Sequence, residues 1–175
     1  ITLETTTEGM RIFENPVGVL TNNPPFPFHI QNLAHYMNLT REEPINRFAS
    51  QVSIAPFSRG MGAIGFTGDL SSASRFIRAS FVKLNSLSKP DEASCVSQFF
   101  HILDSVSQQR GCVKIGSGYE RTIYSSCCNT ERGIYYYSTY DNRQISAVSL
   151  RNENLESQQL IQFPLQIKQQ IYNQN

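Results

Sequence analysis

Several features that mark common classes of protein are missing from this sequence. No apolar run approaches the ~20 residues of a membrane-spanning helix, so we expect no membrane contact. The 15 basic and 14 acidic residues give a formal net charge of +1 and form no polybasic tail, which argues against nucleic acid as a partner. The charged fraction of 17% is low for a disordered chain, and 11 Phe and 8 Tyr indicate a packed core.

Familiar catalytic and metal-binding motifs are also missing. The sequence contains no G-x-S-x-G, no H-E-x-x-H and no phosphate-binding glycine loop. Its cysteines have no C-x₂-C spacing, and an adjacent pair on a strand points to opposite faces, so we expect no zinc site and no other cofactor. We predict buried free thiols in a reducing cytoplasm. The four cysteines are Cys95, Cys112, Cys127 and Cys128.

The three histidines are predicted to be structural. His29 and His35 are too far apart along a helix to share a face, and His101 lies beside an apolar stripe. A Cys95–His101 dyad would need a geometry that one helix does not provide.

The first residues indicate a segment of a longer chain. Ile1 already belongs to an alternating strand pattern, and no Met or signal peptide precedes it. The alternative is a matured protein whose leader was removed before Ile1.

The order of predicted elements is typical of an α+β protein with helices layered on antiparallel sheets. A hairpin and a short strand come first, followed by an irregular stretch over 23–65 that contains one short helix and then a long excursion, which suggests a functional loop or an assembly arm. Two capped helices, a three-stranded meander and a possible edge strand follow. The predicted strands are Ile1–Thr5, Met10–Glu14, Val17–Thr21, Thr122–Cys128, Ile134–Tyr140, Gln144–Leu150 and an edge strand within Leu160–Tyr172. The predicted helices are Phe28–Met37 and two within 69–106, the first capped by Ser71 or Ser72 and the second by Ser88.

Two polar residues are candidates for chemistry. Asn22 ends the predicted strand Val17–Thr21, where an amide could stabilise a developing oxyanion, although Asn also suits a turn into Pro24-Pro25. Arg75 lies in the first turn of a helix, where the macrodipole disfavours a cation, so an anionic partner is expected. That partner is either Asp69, or a thiolate or substrate anion.

The same stretches resemble the choloylglycine hydrolases, a family of bile salt hydrolases and penicillin V acylases. The resemblance covers essentially all of the chain and is strongest toward bile salt hydrolases of intestinal Gram-positive bacteria. Thr67 departs from it, because many members have Pro there. The segments that carry it are Asn15–Pro24, Gly68–Phe76, Ser97–Leu103, Tyr124–Cys128 and Gly133–Asn142.

The resemblance implies part of a four-layer αββα N-terminal nucleophile hydrolase sandwich. In this family an N-terminal Cys attacks the amide of a glycine- or taurine-conjugated bile acid, with its own α-amino group as base. Asn22 matches the oxyanion-hole Asn, and Arg75 matches the active-site Arg near the nucleophile and the amino-acid end of the substrate. A cytoplasmic homo-oligomer, a tetramer by family resemblance, is also implied.

The first residue is Ile1, so the nucleophile is not in this chain. We therefore expect residues 1–175 to be the C-terminal portion of a single hydrolase domain, inactive without its N-terminal half. Two alternatives stay open, a penicillin V acylase-like amidase and a non-catalytic homologue or assembly module.

Overall fold

A computed structural model describes all 175 residues, which form two compact units, Ile1–Ser86 and Leu87–Asn175. Helices and antiparallel sheets occur together, which confirms the expected α+β class. None of the helices combines the length and apolar character that crossing a lipid bilayer requires.

The first unit begins with the predicted hairpin. Strands β1 (Thr2–Thr6) and β2 (Gly9–Phe13) pair antiparallel, with Thr6 opposite Gly9. Gly9 has a φ of +109°, a backbone conformation that residues other than glycine rarely adopt. The local turn chemistry was therefore sufficient to predict this hairpin.

The predicted strand Val17–Thr21 is wrong, because these residues form a turn and an irregular segment. Side chains take up the backbone groups that a partner strand would otherwise bind. The Asn15 amide donates to the carbonyl of Val19 and accepts from the N–H of Gly18, while Lys83 Nζ donates to the carbonyl of Val17 at 2.8 Å. The segment is thus held by side-chain hydrogen bonds and does not join a sheet.

Two helices enclose the core of the first unit. Helix α1 (Phe26–Asn32) starts two residues earlier than predicted and continues as a 3₁₀ turn over Leu33–Tyr36. After an irregular stretch with one further 3₁₀ turn, Met61–Ala63, helix α2 (Ser72–Asn85) begins at the cap Ser71. The core consists of Val17, Phe26, Phe76 and Ile77, with Phe13, Val19, Ile30, Leu33, Tyr36, Leu39 and Phe66 packed around it.

The second unit opens with helix α3 (Glu92–Asp104), whose cap was predicted wrongly as Ser88. The cap is Asp91, whose carboxylate accepts the N–H of Ser94 at 2.9 Å. Asp91 lies three residues before that N–H, as an N-cap requires, whereas Ser88 is too far upstream. Only part of the expected apolar stripe is buried, since Phe100 is covered and Phe99 is exposed.

The remaining strands include the predicted meander. A short hairpin that was not predicted, β3 (Val113–Ile115) with β4 (Gly118–Glu120), precedes it. The meander consists of β5 (Tyr124–Asn129), β6 (Ile134–Thr139) and β7 (Ser146–Ser149), all antiparallel. It is confirmed to within a few residues at each end.

The predicted edge strand in the tail is wrong. Residues 160–175 contain no regular element, and their contacts with the meander use side chains rather than a backbone ladder. The carbonyl of Gln166 accepts from Thr139 Oγ1 at 3.2 Å and from Asn142 Nδ2 at 3.3 Å, and its N–H donates to the Tyr137 hydroxyl. These bonds satisfy the backbone groups of Gln166 without strand pairing.

A polar cluster joins α3 to the β5–β6 hairpin. Glu92 accepts from Asn129 at 2.6 Å and from the Tyr136 hydroxyl at 2.9 Å, and pairs with Arg132 at 2.5 Å. The hydrogen bond from Tyr136, followed by those from Asn129 and Arg132, lowers the pKa of Glu92. This cluster fixes the start of the helix on the sheet.

Candidate functional site

Asn22 lies in the first unit, in the exposed segment that leads into α1. Its backbone carbonyl accepts a hydrogen bond from His29 Nε2 at 3.0 Å. Just beyond it, the N–H of Phe26 donates to the Glu4 carboxylate at 2.6 Å, which anchors the start of α1 on the first strand. Both contacts hold the backbone on either side of the Pro24-Pro25 turn.

Arg75 is positioned by the capped start of α2. Ser71 Oγ accepts the N–H of Ser74, and the Ser71 carbonyl accepts the N–H of Arg75, so the helix begins with Arg75 in its first turn. The half-buried guanidinium then turns back, and its Nε donates to the carbonyl of Leu70 at 3.3 Å. The position that the sequence predicted for Arg75 is confirmed.

The structure brings the two candidate residues together. Arg75 Nη2 donates to Asn22 Oδ1 at 2.8 Å, across 53 residues of sequence. Because a guanidinium can only donate, this bond fixes which end of the Asn22 amide faces Arg75. The amide nitrogen Nδ2 then points away, and it donates to no other group of the chain in the hydrogen bonds described.

This arrangement suits stabilisation of negative charge on a ligand oxygen. Asn22 supplies a neutral N–H donor, and the cation on its carbonyl oxygen polarises the amide, which strengthens that donor. A cavity of about 360 Å³ borders the residue, so the amide is accessible to a ligand. Its lining consists of Glu4, Thr5, Thr6, Leu20, Thr21, Asn22, Asn23, Pro24 and Pro25.

Asp69 is not the partner of Arg75. Arg75 takes part in none of the ion pairs of the chain, and the Asp69 carboxylate accepts instead from the N–H of Ser71 at 2.9 Å and from Ser74 Oγ. These bonds from Ser71 and Ser74 lower the pKa of Asp69 to about 2. Asp69 therefore organises the start of α2, and of the two partners that the sequence left open for Arg75, Asp69 is not the one found in the structure.

Arg78 binds the backbone just before α2, the helix that carries Arg75, and sequence reasoning missed it. It is buried, and its Nη1 donates to the carbonyls of Asp69 at 2.5 Å and Thr67 at 3.2 Å. Burial lowers its pKa, opposed by the nearby charge of Asp69. The sequence signal was its position one turn after Arg75, since the two side chains lie on the same side of a helix.

The histidines and cysteines are distributed as follows. His29 is fully buried, whereas His35 and His101 are exposed, so only the first has a clear role inside the molecule.

All four cysteines are free, as predicted, but the expectation that they are buried is wrong, because three are exposed and Cys127 is half-buried. Partial burial raises the pKa of the Cys127 thiol. No three His, Cys, Asp or Glu side chains converge on a possible metal position.

Residues 1–163 match the family described as linear amide C–N hydrolases, choloylglycine hydrolase family. The chain is 53% identical over its whole length to a bile salt hydrolase/transferase of Lactiplantibacillus plantarum, of which it covers 54%. It therefore spans about half the length of the curated relatives it matches.

Solved structures show the same likeness. A crystal structure of a mutant conjugated bile acid hydrolase from Clostridium perfringens superposes with a TM-score of 0.88 and 34% identity, covering 99% of this chain and 53% of that one. A penicillin V acylase from Agrobacterium tumefaciens shares only the fold, with a TM-score of 0.62 and 16% identity over 85% of this chain and 41% of its own. The expected α+β fold, part of an N-terminal nucleophile hydrolase sandwich, is confirmed.

Proposed function

Because the chain belongs to the choloylglycine hydrolase family, we propose that it forms part of an enzyme that hydrolyses the amide bond of glycine- or taurine-conjugated bile acids. The relatives named as bile salt hydrolases support this substrate class. The observation that carries the proposal is the 2.8 Å contact of Arg75 with Asn22. By resemblance, these two residues correspond to the family's active-site Arg and oxyanion-hole Asn.

We propose that residues 1–175 are the C-terminal portion of the hydrolase domain, and that an N-terminal Cys of the complete protein is the nucleophile. Its thiolate attacks the amide carbonyl carbon, and the proton passes through its α-amino group to the leaving nitrogen of glycine or taurine. Water then hydrolyses the thioester and releases the bile acid. The isolated chain has no such nucleophile and is expected to be inactive.

In this mechanism Asn22 donates from Nδ2 to the oxygen of the scissile carbonyl, where negative charge develops in both steps. Arg75 holds the amide in that orientation through Oδ1. The guanidinium uses Nε and Nη2 in the contacts described, so Nη1 can meet the thiolate or the anionic end of the substrate. No cofactor is needed for either step.

Location and assembly are proposed from the family resemblance, as a cytoplasmic homo-oligomer, a tetramer by analogy. The irregular excursion over 23–65 supports an assembly surface, because several of its large apolar side chains are exposed. These are Met37, Ile45, Phe48, Val52, Ile54, Phe57 and Ile64. Light scattering of the full-length protein, which reports the mass of the particle in solution, tests this assembly.

The full-length protein should be assayed with glycocholate, taurocholate and penicillin V, with release of the free amine measured for each. Hydrolysis of the bile salts in preference to penicillin V supports the proposal, and the reverse preference would establish the acylase alternative. Absence of hydrolysis of all three would establish a non-catalytic homologue. Asn22→Ala in the same protein is the control, because it should suppress hydrolysis while the fold is retained.

A further inference from the structure

His29 is a buried polar side chain whose packing alone does not explain why it is a histidine. Its side chain is fully buried on α1 and stacks on Phe76 of α2, with ring centroids 4.8 Å apart and planes inclined by 20°. A phenylalanine would provide the same stacking without any polar atom to satisfy. The imidazole nitrogens therefore need an explanation of their own.

The hydrogen bonds of the ring determine where its proton lies. Nε2 is 3.0 Å from the carbonyl oxygen of Asn22, which can only accept, so Nε2 carries the proton. Thr21 Oγ1 lies 3.4 Å from the same nitrogen, and its hydroxyl donates to the carbonyl of Ser72 at 3.1 Å, so a lone pair faces the ring. Nε2–H is thus directed at the backbone that carries the candidate site.

The opposite side of the ring has no partner. Nδ1 is buried without a hydrogen bond, a feature that costs stability and that is uncommon in folded proteins. Packing alone does not explain a buried imidazole whose Nδ1 has no hydrogen-bond partner. The stability cost of Nδ1 is explained if Nε2–H is needed as a hydrogen-bond donor at a fixed position.

We propose that His29 is a positioning residue for Asn22, an inference that rests on the function proposed above. His29 from α1 fixes the Asn22 backbone, and Arg75 from α2 fixes its side-chain oxygen at 2.8 Å. Each contact is insufficient alone, because the main-chain bond does not orient the amide and the side-chain bond does not locate its Cα. Together they aim Nδ2 at one point beside the cavity.

The test uses the full-length protein with His29→Phe, which retains the stacking, and His29→Gln, whose amide nitrogen can reach the position of Nε2. His29→Phe should lower kcat roughly 10-fold with little change in KM, less than the 10²–10³ expected for loss of the donor itself. His29→Gln should restore most of kcat. His35→Phe, at an exposed histidine of the same segment, is the matched control and should leave kcat unchanged.

Coupling to Asn22 separates a positioning role from a purely structural one. In an Asn22→Ala background, His29→Phe should cause no further loss of kcat, because the amide that it positions is already absent. Unchanged kcat in His29→Phe, equal losses in His29→Phe and His29→Gln, or a further loss in the Asn22→Ala background would each overturn the proposal.

An NMR measurement does not depend on activity. Correlation of the ring nitrogens with the ring protons of wild-type protein identifies the protonated nitrogen, with His29→Gln assigning the signal. A proton on Nε2 supports the proposal even where His29→Phe fails to fold, and a proton on Nδ1 refutes it. Wild-type protein without amide hydrolysis would refute the proposed function and the positioning role with it, whereas an active wild type with Nδ1 protonated refutes the positioning role alone.

Discussion

Replacement of Arg75 by Met in the full-length protein tests whether the guanidinium acts through Asn22. Met has a similar length but no donor, so the variant removes the 2.8 Å bond to Asn22 Oδ1 and the weaker bond to the carbonyl of Leu70. The Asn22 amide is then free to rotate, so that an oxygen rather than an N–H group can face the developing oxyanion. We expect kcat to fall more than KM changes.

The size of the effect follows from the bond that is lost. A hydrogen bond to a charged group contributes about 1.5–3 kcal/mol net, and each 1.36 kcal/mol changes a rate tenfold. The predicted loss of kcat is therefore roughly 10- to 150-fold. The partial exposure of Arg75 favours the lower part of that range, because solvent screens the charge.

A double-variant cycle with Asn22→Ala gives the decisive comparison. Asn22→Ala alone should lower kcat about 10²–10³-fold, the usual cost of one oxyanion donor. If Arg75 acts by orienting that donor, the double variant is no slower than Asn22→Ala. If the two act independently, the losses multiply to about 10³–10⁵-fold.

The assay measures amine release from glycocholate and taurocholate, with kcat compared on the pH plateau of each variant so that ionisation of the thiol does not contribute. Thermal unfolding is recorded in parallel, and Arg11→Met, at an exposed arginine paired with Glu8, is the control. Multiplicative losses would refute orientation of Asn22 by Arg75. Unchanged kcat in Arg75→Met would remove Arg75 from the site.

Further predictions concern the charge of Arg75, the backbone conformation of Gly18 and the ionisation of Asp69. Arg75→Lys should recover only part of the activity, and Arg75→Met should shift thiol alkylation to higher pH, since a nearby cation favours the thiolate; superimposable alkylation curves would exclude that effect. Gly18→Ala should lower the free energy of unfolding, measured by chemical denaturation, by about 1–2 kcal/mol, because Gly18 has a φ of +60°. The added Cβ would also meet Lys83 Nζ. The same loss of stability in a Lys83→Met background would assign it to the backbone conformation rather than to that contact. The Asp69 carboxyl has a pKa of about 2 against the ordinary 3.8, so it should contribute stability that is complete above pH ~4 and lost as pH falls toward 2. Asp69→Asn removes this contribution, so the Tm difference between variant and wild type should shrink over that pH range. A constant Tm difference would contradict this prediction.

Local signals were sufficient where one stretch of sequence satisfies its own backbone groups. The β1–β2 hairpin, the Ser71 cap of α2 and the β5–β7 meander were all predicted from turn or cap residues that lie within a few positions of one another. The cap of α3 failed by three residues only because Ser88 and Asp91 are both good capping residues. Such errors displace an element without changing the architecture.

The strand predicted over Val17–Thr21 failed for a different reason. Its apolar pattern is real, since Val17 is part of the core, but its backbone groups are bound by Lys83 and Asn15. The contact of Lys83 with Val17, 66 residues earlier in the sequence, cannot be predicted from the residues around Val17. The apolar run therefore predicted the burial of Val17 correctly and strand pairing incorrectly.

The candidate site shows the same limit in its chemistry. The first-turn position of Arg75 predicted an anionic partner, yet within this chain its described partners are the neutral oxygens of Asn22 and Leu70. Asp69, the carboxylate nearest in sequence, is committed to the start of α2. The charge of Arg75 is consequently not balanced by any ion pair of this chain, at a helix end where the dipole disfavours it. Such an arrangement costs stability unless an anion is bound there, and a thiolate or the carboxylate or sulfonate of a conjugated bile acid would supply that anion in the proposed enzyme.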